Sequence, residues 1–366
     1  MKNICVVGGG NGAFATAGDL TLRGLNVTLL EHPDLSHSIS AIQGIGGIRV
    51  EAVGSTGLPD GFARLSLITT DPKKALENVD LILIIVPSYA LSSIEKLCIP
   101  HLKPGQTVVI TPGNFGAAEW LRRQQEFGVE GVDVGEASCM IYACRKKDPA
   151  TINIRGYKHH LQIAAYPGSR TAVILEKMKR VYPEVERATN ILETGLSNVN
   201  PLFHPPILLL NTGRVEDTQG DFLFYVQGST ESVGRVIEAL DQERLSIGRA
   251  FQVRLPSGTE LLWNWYGHQG LKGNTITELH KHVVPYQYSK APATLNTRYL
   301  TEDIPFGLVL WKHLARIAKV PTPTMDALIH LACITTNSDL IGMSNRFKTM
   351  NWLDKTLDEI LAQVNA

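Results

Sequence analysis

The sequence predicts an α/β domain followed by a mostly α-helical one. Three observations predict it. Strand-like and helix-like segments alternate through the first half of the chain. A glycine-rich turn joins the first strand to the first helix. Near residue 187 the alternation gives way to long runs with helical periodicity. Repeated β-α-β order builds a doubly wound parallel sheet. A chain of 366 residues is too long for one average core, so two domains are expected, 1–187 and 188–366.

The elements follow in order. "KNICVVG" is a short β-rich run that ends in glycine. "GAFATAGDLTLRGL" reads as a helix, with Phe14, Ala17 and Leu20 about a turn apart and Gly24 near its end. "NVTLLE" is a second strand and "LSLITTD" a third. "VDLILIIVP" is apolar almost throughout, as a strand buried on both faces must be. "QTVVITPG" and "VDVGEASCMI" continue the series. "TINIRGYKHHLQIAAYP" reads as two strands about a turn at Arg155–Gly156, extending the same sheet. Past the boundary, "ESVGRVIEALDQERLSIGRAF" places Val233, Ile237, Leu240, Ile247 and Phe251 on one helix face.

Composition narrows the function. Hydrophobic residues make up 44% and charged residues 19%, a globular balance. Lys plus Arg number 35, as do Asp plus Glu, so no net field favours nucleic acid or an anionic membrane surface. The apolar start is broken at once by glycines and reads as neither a signal peptide nor a membrane span. Five cysteines without a CxxC pair are expected to be reduced thiols in a cytoplasmic protein. No His/Cys spacing resembles a zinc site. Oligomeric state is left open, a homo-oligomer included.

The glycine turn "VVGGGNGA" carries Gly8-x-Gly10-x-x-Ala13, with Asn11 and Gly12 between. Gly8 permits the tight turn, Gly10 lets the backbone approach a pyrophosphate, and Ala13 allows close helix–strand packing. Free N–H groups at the helix start then hold phosphates. Glu31 ends the second strand at the spacing where a carboxylate meets the ribose hydroxyls, which favours NAD over NADP. His32 beside it keeps NADP open, since an imidazolium tolerates a phosphate. Pro87, Ser88, Thr111 and Gly113 lie at carboxyl ends of later strands, the ligand edge of such sheets, where plain turn chemistry explains them equally well.

His204 sits in "SNVNPLFHPPILLL" with no charged neighbour in sequence. The prolines suggest a helix start with His204 just outside it, since the residue before proline is pushed from the α region. A histidine at the positive end of a helix tends to lose its proton, so a proton donor there needs a carboxylate from elsewhere. "LNTRYLTEDIPFG" offers Asp303 as that partner and Arg298 as a bidentate clamp for a substrate carboxylate. It reads as a loop or helix end. A buried structural histidine is the competing explanation of His204. His159 and His160 read as strand neighbours facing opposite ways, and His280 and His282 as a solvated face. Glu136 reads as a strand-end carboxylate, either held in a loop or facing the ligand. Trp263, Trp265 and Tyr266 are either pocket lining or core.

These motifs together resemble the opine dehydrogenases, the octopine/nopaline dehydrogenase family, and within it the bacterial N-(1-carboxyethyl)-amino acid dehydrogenase type. "GGGNGAFA", "DLILIIVPS", "TPGNFGA", "GEASCMIYACR", "LSNVNPLFHPP", "ALDQERLSIGRAF", "LNTRYLTEDIPFGLV" and "VPTPTMDALI" carry the resemblance over nearly the whole chain. It implies a Rossmann-type domain, a helical domain and an active site in the cleft between them. It implies reductive condensation of a 2-oxo acid with the amino group of an amino acid, using NAD(P)H. It also implies His204 as acid/base, Asp303 as its partner, and Arg298 on a substrate carboxylate; Glu136, by its strand-end position, and Asn200 are further substrate-binding candidates. Ala137 and Cys139 depart from the usual hydroxyl residues of their segment, and "ELLWNWYGHQGLKGNTITELHKHVV" matches no family pattern. Two rivals remain at this point: a two-domain dehydrogenase of 2-hydroxy acids or polyol phosphates, and a non-catalytic NAD(H) sensor.

Overall fold

The computed structural model describes residues 3–366. The chain divides into two compact units between Ile191 and Leu192. The first is α/β and the second helical, as the sequence predicts.

Twelve strands are described: β1 (Asn3–Val7), β2 (Asn26–Leu30), β3 (Gly47–Ala52), β4 (Gly61–Arg64), β5 (Leu67–Thr69), β6 (Leu81–Ile84), β7 (Thr107–Ile110), β8 (Asp133–Ala137), β9 (Tyr142–Asp148), β10 (Thr151–Tyr157), β11 (Gln162–Ala165) and β12 (Glu186–Arg187). Eight form the main sheet in the order β12-β11-β8-β7-β6-β1-β2-β5. It is parallel from β5 to β8. β11 then runs antiparallel to β8, and β12 parallel to β11. All four residues of β6 are buried, as its unbroken apolar run requires.

A second, four-stranded sheet, β4-β3-β10-β9, corrects the expectation for residues 151–167. Only β11 joins the main sheet. Arg155 and Gly156 lie inside β10 and make no turn. The pairing of β10 with β9 is irregular between Ile154 and Gly156, so the glycine marks a bulge. The chain reverses after β10 instead, where His160 takes φ 52°. His159 and His160 are therefore in no strand.

The first helix, Asn11–Leu22, explains the second sheet. Its residues Ala13 through Leu20 are all buried, more than one helix face can account for. The main sheet covers one side and β3, β4, β9 and β10 cover the other. Gly18 makes this possible: a Cβ there would lie 2.5 Å from the Val50 side chain.

The helical unit is organised around the helix Glu231–Ala250, which buries Val233, Ile237, Leu240 and Ile247. It also buries Arg244, whose guanidinium donates to the Leu196 carbonyl (2.9 Å), the Pro256 carbonyl (2.6 Å) and Asp241. No helix among the described residues is long and apolar enough to cross a membrane. Gly18→Val should overpack the helix against β3 and destabilise the protein by about 2 kcal/mol. Urea unfolding measures this, and an unchanged midpoint would mean the second sheet is not clamped onto the helix.

Candidate active site

In the first unit the glycine loop has the geometry of a phosphate cradle. Gly8 has φ +125°, and a Cβ would meet the Ile85 carbonyl oxygen at 2.4 Å. Gly12 faces Met140, 2.1 Å from where a Cβ would stand, and Ala13 is buried. Gly10 caps the helix without a side-chain bond to its first amides, and nothing lies within 4 Å of its Cβ position. Those amides and that space suit an anionic group. The residues present therefore fit a dinucleotide.

Glu31 follows β2 and is buried. Its carboxylate accepts the His32 N–H at 2.7 Å and the Ser38 hydroxyl at 2.9 Å. Lys146, from β9, reaches the same loop. Its ammonium donates to the Gly9 carbonyl at 2.7 Å and stands 3.4 Å over the Phe14 ring. Its backbone N–H donates to the Asn11 side chain at 2.9 Å. Partial burial lowers the Lys146 pKa, and the Glu31 charge opposes this. Sequence reasoning missed Lys146, because 135 residues separate it from Asn11 and the second sheet alone brings them together.

Ser88 is buried at the start of a short 3₁₀ turn, capped by Pro87, and accepts from the Asn114 amide at 3.0 Å. Glu136 departs from the ligand-facing expectation. It is fully buried, and its carboxylate accepts the N–H of Phe115 (3.3 Å) and Ala117 (3.0 Å), where the helix Gly116–Glu126 begins. A carboxylate at a helix N-terminus is favourable in itself. Any side chain at Gly113 would meet Glu136, the closest atom being 2.3 Å away.

The second unit gathers the polar groups of two distant segments. His204 lies inside the helix Asn200–Leu209, not before it. The expectation of a helix start at the prolines is wrong because Pro205 and Pro206 continue the helix with their fixed φ. They omit only their own N–H bonds, those to the Pro201 and Leu202 carbonyls. Asn200 opens the helix, its N–H bonded to the Asn198 side chain at 3.1 Å. Asp303 lies at a helix end, one of the two readings its segment allowed. It follows the short helix Arg298–Thr301 and opens a π-helical turn, Ile304–Leu308, that runs into the helix Val309–Ala318. The Leu308 N–H bonds to the Asp303 carbonyl, and the Asp303 N–H to that of Arg298, the wide i→i−5 spacing.

The structure brings these two residues together. His204 Nδ1 is 2.7 Å from Asp303 Oδ2, with both residues buried. His204 Nε2 is 2.7 Å from the Tyr225 hydroxyl. Tyr299 stacks on the imidazole at 3.9 Å between centroids. Tyr225 is in turn stacked on Tyr286 at 3.7 Å, nearly parallel. Burial raises the Asp303 pKa, and the adjacent His204 opposes that rise. Burial among further tyrosines holds Tyr225 well above the usual phenol range, so it remains protonated. Arg298 is about half exposed, and its Nε donates to the buried Glu302 at 2.6 Å. Tyr225, Tyr286 and Tyr299 were not singled out in sequence, where nothing distinguishes them from core aromatics.

His280 overturns its solvated-face reading. It is fully buried, edge-on to Phe203 and Tyr225. Its Nδ1 meets the Ser229 hydroxyl at 2.9 Å, and its Nε2 has no hydrogen-bond partner. His282 is exposed and bonded to the Glu278 carbonyl. Trp265 and Tyr266 are buried in the core, while Trp263 is 41% exposed and donates to the Gly273 carbonyl.

The helical region, residues 187–336, matches the family described as NAD/NADP octopine/nopaline dehydrogenase, alpha-helical domain. An opine dehydrogenase from Arthrobacter sp. (strain 1C) is 34% identical over 340 residues, covering 92% of each chain. An opine dehydrogenase from Haliotis discus hannai is 28% identical, covering 89% of this chain and 88% of that one. Among solved structures, octopine dehydrogenase with NADH and L-arginine superposes with a TM-score of 0.76 at 22% identity, over 99% of this chain and 98% of that one. Yersinopine dehydrogenase with NADP+ bound does so at 0.69 and 14% identity, over 99% and 97%. The family match and these relatives make the chain an NAD(P)-dependent oxidoreductase. The chain belongs to the opine dehydrogenase family, whose reaction is at the CH–NH group.

Burial, with His204 nearby, pushes the His280 imidazole down to about 3. The folded protein then keeps it neutral where an unfolded chain protonates it, near 6.5. This part of the stability is full above about pH 6.5 and falls as pH drops toward 3, by up to about 1.4 kcal/mol per pH unit. His280→Gln should flatten that slope in urea titrations between pH 7 and 4.5. An equal slope in both proteins would show that His280 is protonated when folded.

Proposed function

We propose that this chain condenses a 2-oxo acid such as pyruvate with the amino group of an L-amino acid and reduces the product to an N-carboxyalkyl amino acid. The observation that carries the reading is the buried Asp303–His204 bond at 2.7 Å, with half-exposed Arg298 on the adjoining turn. A keto acid and an amine need a proton to move before they can become an imine. The carbinolamine nitrogen gives a proton to neutral imidazole, and the imidazolium returns one to the departing hydroxyl, so water leaves. Asp303 steadies the imidazolium between these events. Arg298, oriented by Glu302, holds a substrate carboxylate so that the reacting atoms stay aligned. Bound NADH or NADPH would supply a hydride to the imine carbon, and the nitrogen takes a proton from solvent to complete the secondary amine.

Gly8, Gly10, Asn11, Gly12 and Ala13 hold the dinucleotide at the helix start, with Pro87 and Ser88 further along the sheet edge. Lys146 fixes the loop through Gly9 and adds positive charge beside the phosphates. Glu31 offers a carboxylate to the ribose and resists a 2′-phosphate, which favours NADH. All five cysteines are unpaired, which suits a reducing compartment such as the cytoplasm.

NADH consumption with pyruvate and a panel of L-amino acids tests the reading, each mixture run beside the single substrates. Loss only when both are present supports it; loss with the keto acid alone makes the chain a simple dehydrogenase. His204→Ala should lower turnover by about 10²–10⁴ with cofactor binding intact. Arg298→Ala should mainly raise the substrate KM, and an unchanged KM would reject the clamp. Gly10→Val should weaken NADH binding at least tenfold while leaving the melting temperature nearly unchanged, since only ligand space is filled. Unchanged NADH affinity would move the phosphates elsewhere.

A further inference from the structure

We propose that Tyr225 is the group through which His204 exchanges its proton with substrate. The inference rests on His204 being the acid/base of the proposed reaction. In the structure both imidazole nitrogens are taken within the protein: Nδ1 by Asp303 and Nε2 by the Tyr225 hydroxyl, each at 2.7 Å. Tyr299 stacks over the ring at 3.9 Å. No nitrogen remains to meet a substrate oxygen directly. The Tyr225 hydroxyl holds Nε2, and a hydroxyl both donates and accepts.

The two protonation states of His204 fix the direction of that bond. With Nδ1–H given to Asp303, neutral imidazole accepts the phenol proton at Nε2, and the phenol oxygen has lone pairs for a substrate N–H. With imidazolium, Nε2–H donates to the phenol oxygen, and the phenol proton turns outward. Passing a proton to the substrate then makes one O–H bond on the substrate oxygen and breaks the phenol O–H. A new phenol O–H forms with the Nε2 proton. The net change is one proton moved from imidazolium to substrate, with Tyr225 unchanged. Its stack on Tyr286, 3.7 Å apart and 9° from parallel, holds the phenol on this line while protons move.

Tyr225→Phe decides between relay and direct action. The relay predicts a fall in kcat of about 10²-fold or more. NADH affinity stays the same, and a solvent proton inventory that curves in the wild type becomes linear. Direct action predicts unchanged or faster turnover, because phenylalanine frees Nε2, and this result overturns the proposal. A fall in kcat with an unchanged inventory reduces Tyr225 to packing and also overturns it. Site-specific 3,5-difluorotyrosine at 225 keeps the shape and makes the phenol more acidic. The relay then requires kcat to change with NADH affinity unchanged, and an unchanged kcat rejects it. His204→Ala is run alongside. Near-wild-type turnover there removes both the site reading and the relay, whereas an impaired His204→Ala with an active Tyr225→Phe removes the relay alone.

Discussion

The hydrogen bond between His204 and Asp303 spans 99 residues of sequence and closes at 2.7 Å in a buried setting. Both helices that supply it are irregular. One carries two internal prolines directly after the histidine, and the other opens into a π-helical turn directly after the aspartate. Each irregularity loosens the regular ladder, which an ordinary core helix would not do without a return. The return is orientation. A charged or dipolar pair is costly to bury unless its geometry is good, and removing either partner strands the other. The aromatic shell of Tyr225, Tyr299 and Phe224 excludes water from the imidazole and strengthens the bond it surrounds.

The cofactor side depends on a different constraint, the close approach of backbone at the first helix. That helix is buried on two sides, so it needs Gly18 against β3 as much as it needs Gly8 against β6's carboxyl end. The second sheet has a consequence for chemistry as well as packing. β9 delivers Lys146 to the Gly9 carbonyl and bonds Asn11 through its backbone. An ammonium then sits at the edge of a loop that an ordinary doubly wound sheet leaves to its amides alone.

The alternating strands, the glycine turn and the helix Glu231–Ala250 were legible because each is a local periodic signal. Asp303 was legible as a candidate partner because its segment is dense in polar groups, with Asn296, Thr297, Arg298, Glu302 and Asp303 close together. The rest failed for identifiable reasons. Gly156 signals a break, and a break in a strand is a bulge as readily as a turn. Pro205 and Pro206 read as a helix start because proline at a first turn is common, whereas here tertiary packing carries the helix through them. Glu136 lies at a strand's carboxyl end, where ligands bind, yet it serves the amides of the adjacent helix. Lys146 and Tyr225 had no local signal at all, since each acquires its meaning from a residue brought to it by the fold.

His204 and His280 make the last comparison. Both are buried in the same aromatic cluster, and Tyr225 touches both rings. His204 has a carboxylate on one nitrogen and a hydroxyl on the other, so either charge state has partners. His280 has a single hydroxyl and an unpartnered Nε2, and it stays neutral. The difference between a proton-handling histidine and a packing one is therefore not burial, which the two share, but the carboxylate that the π-turn delivers to only one of them.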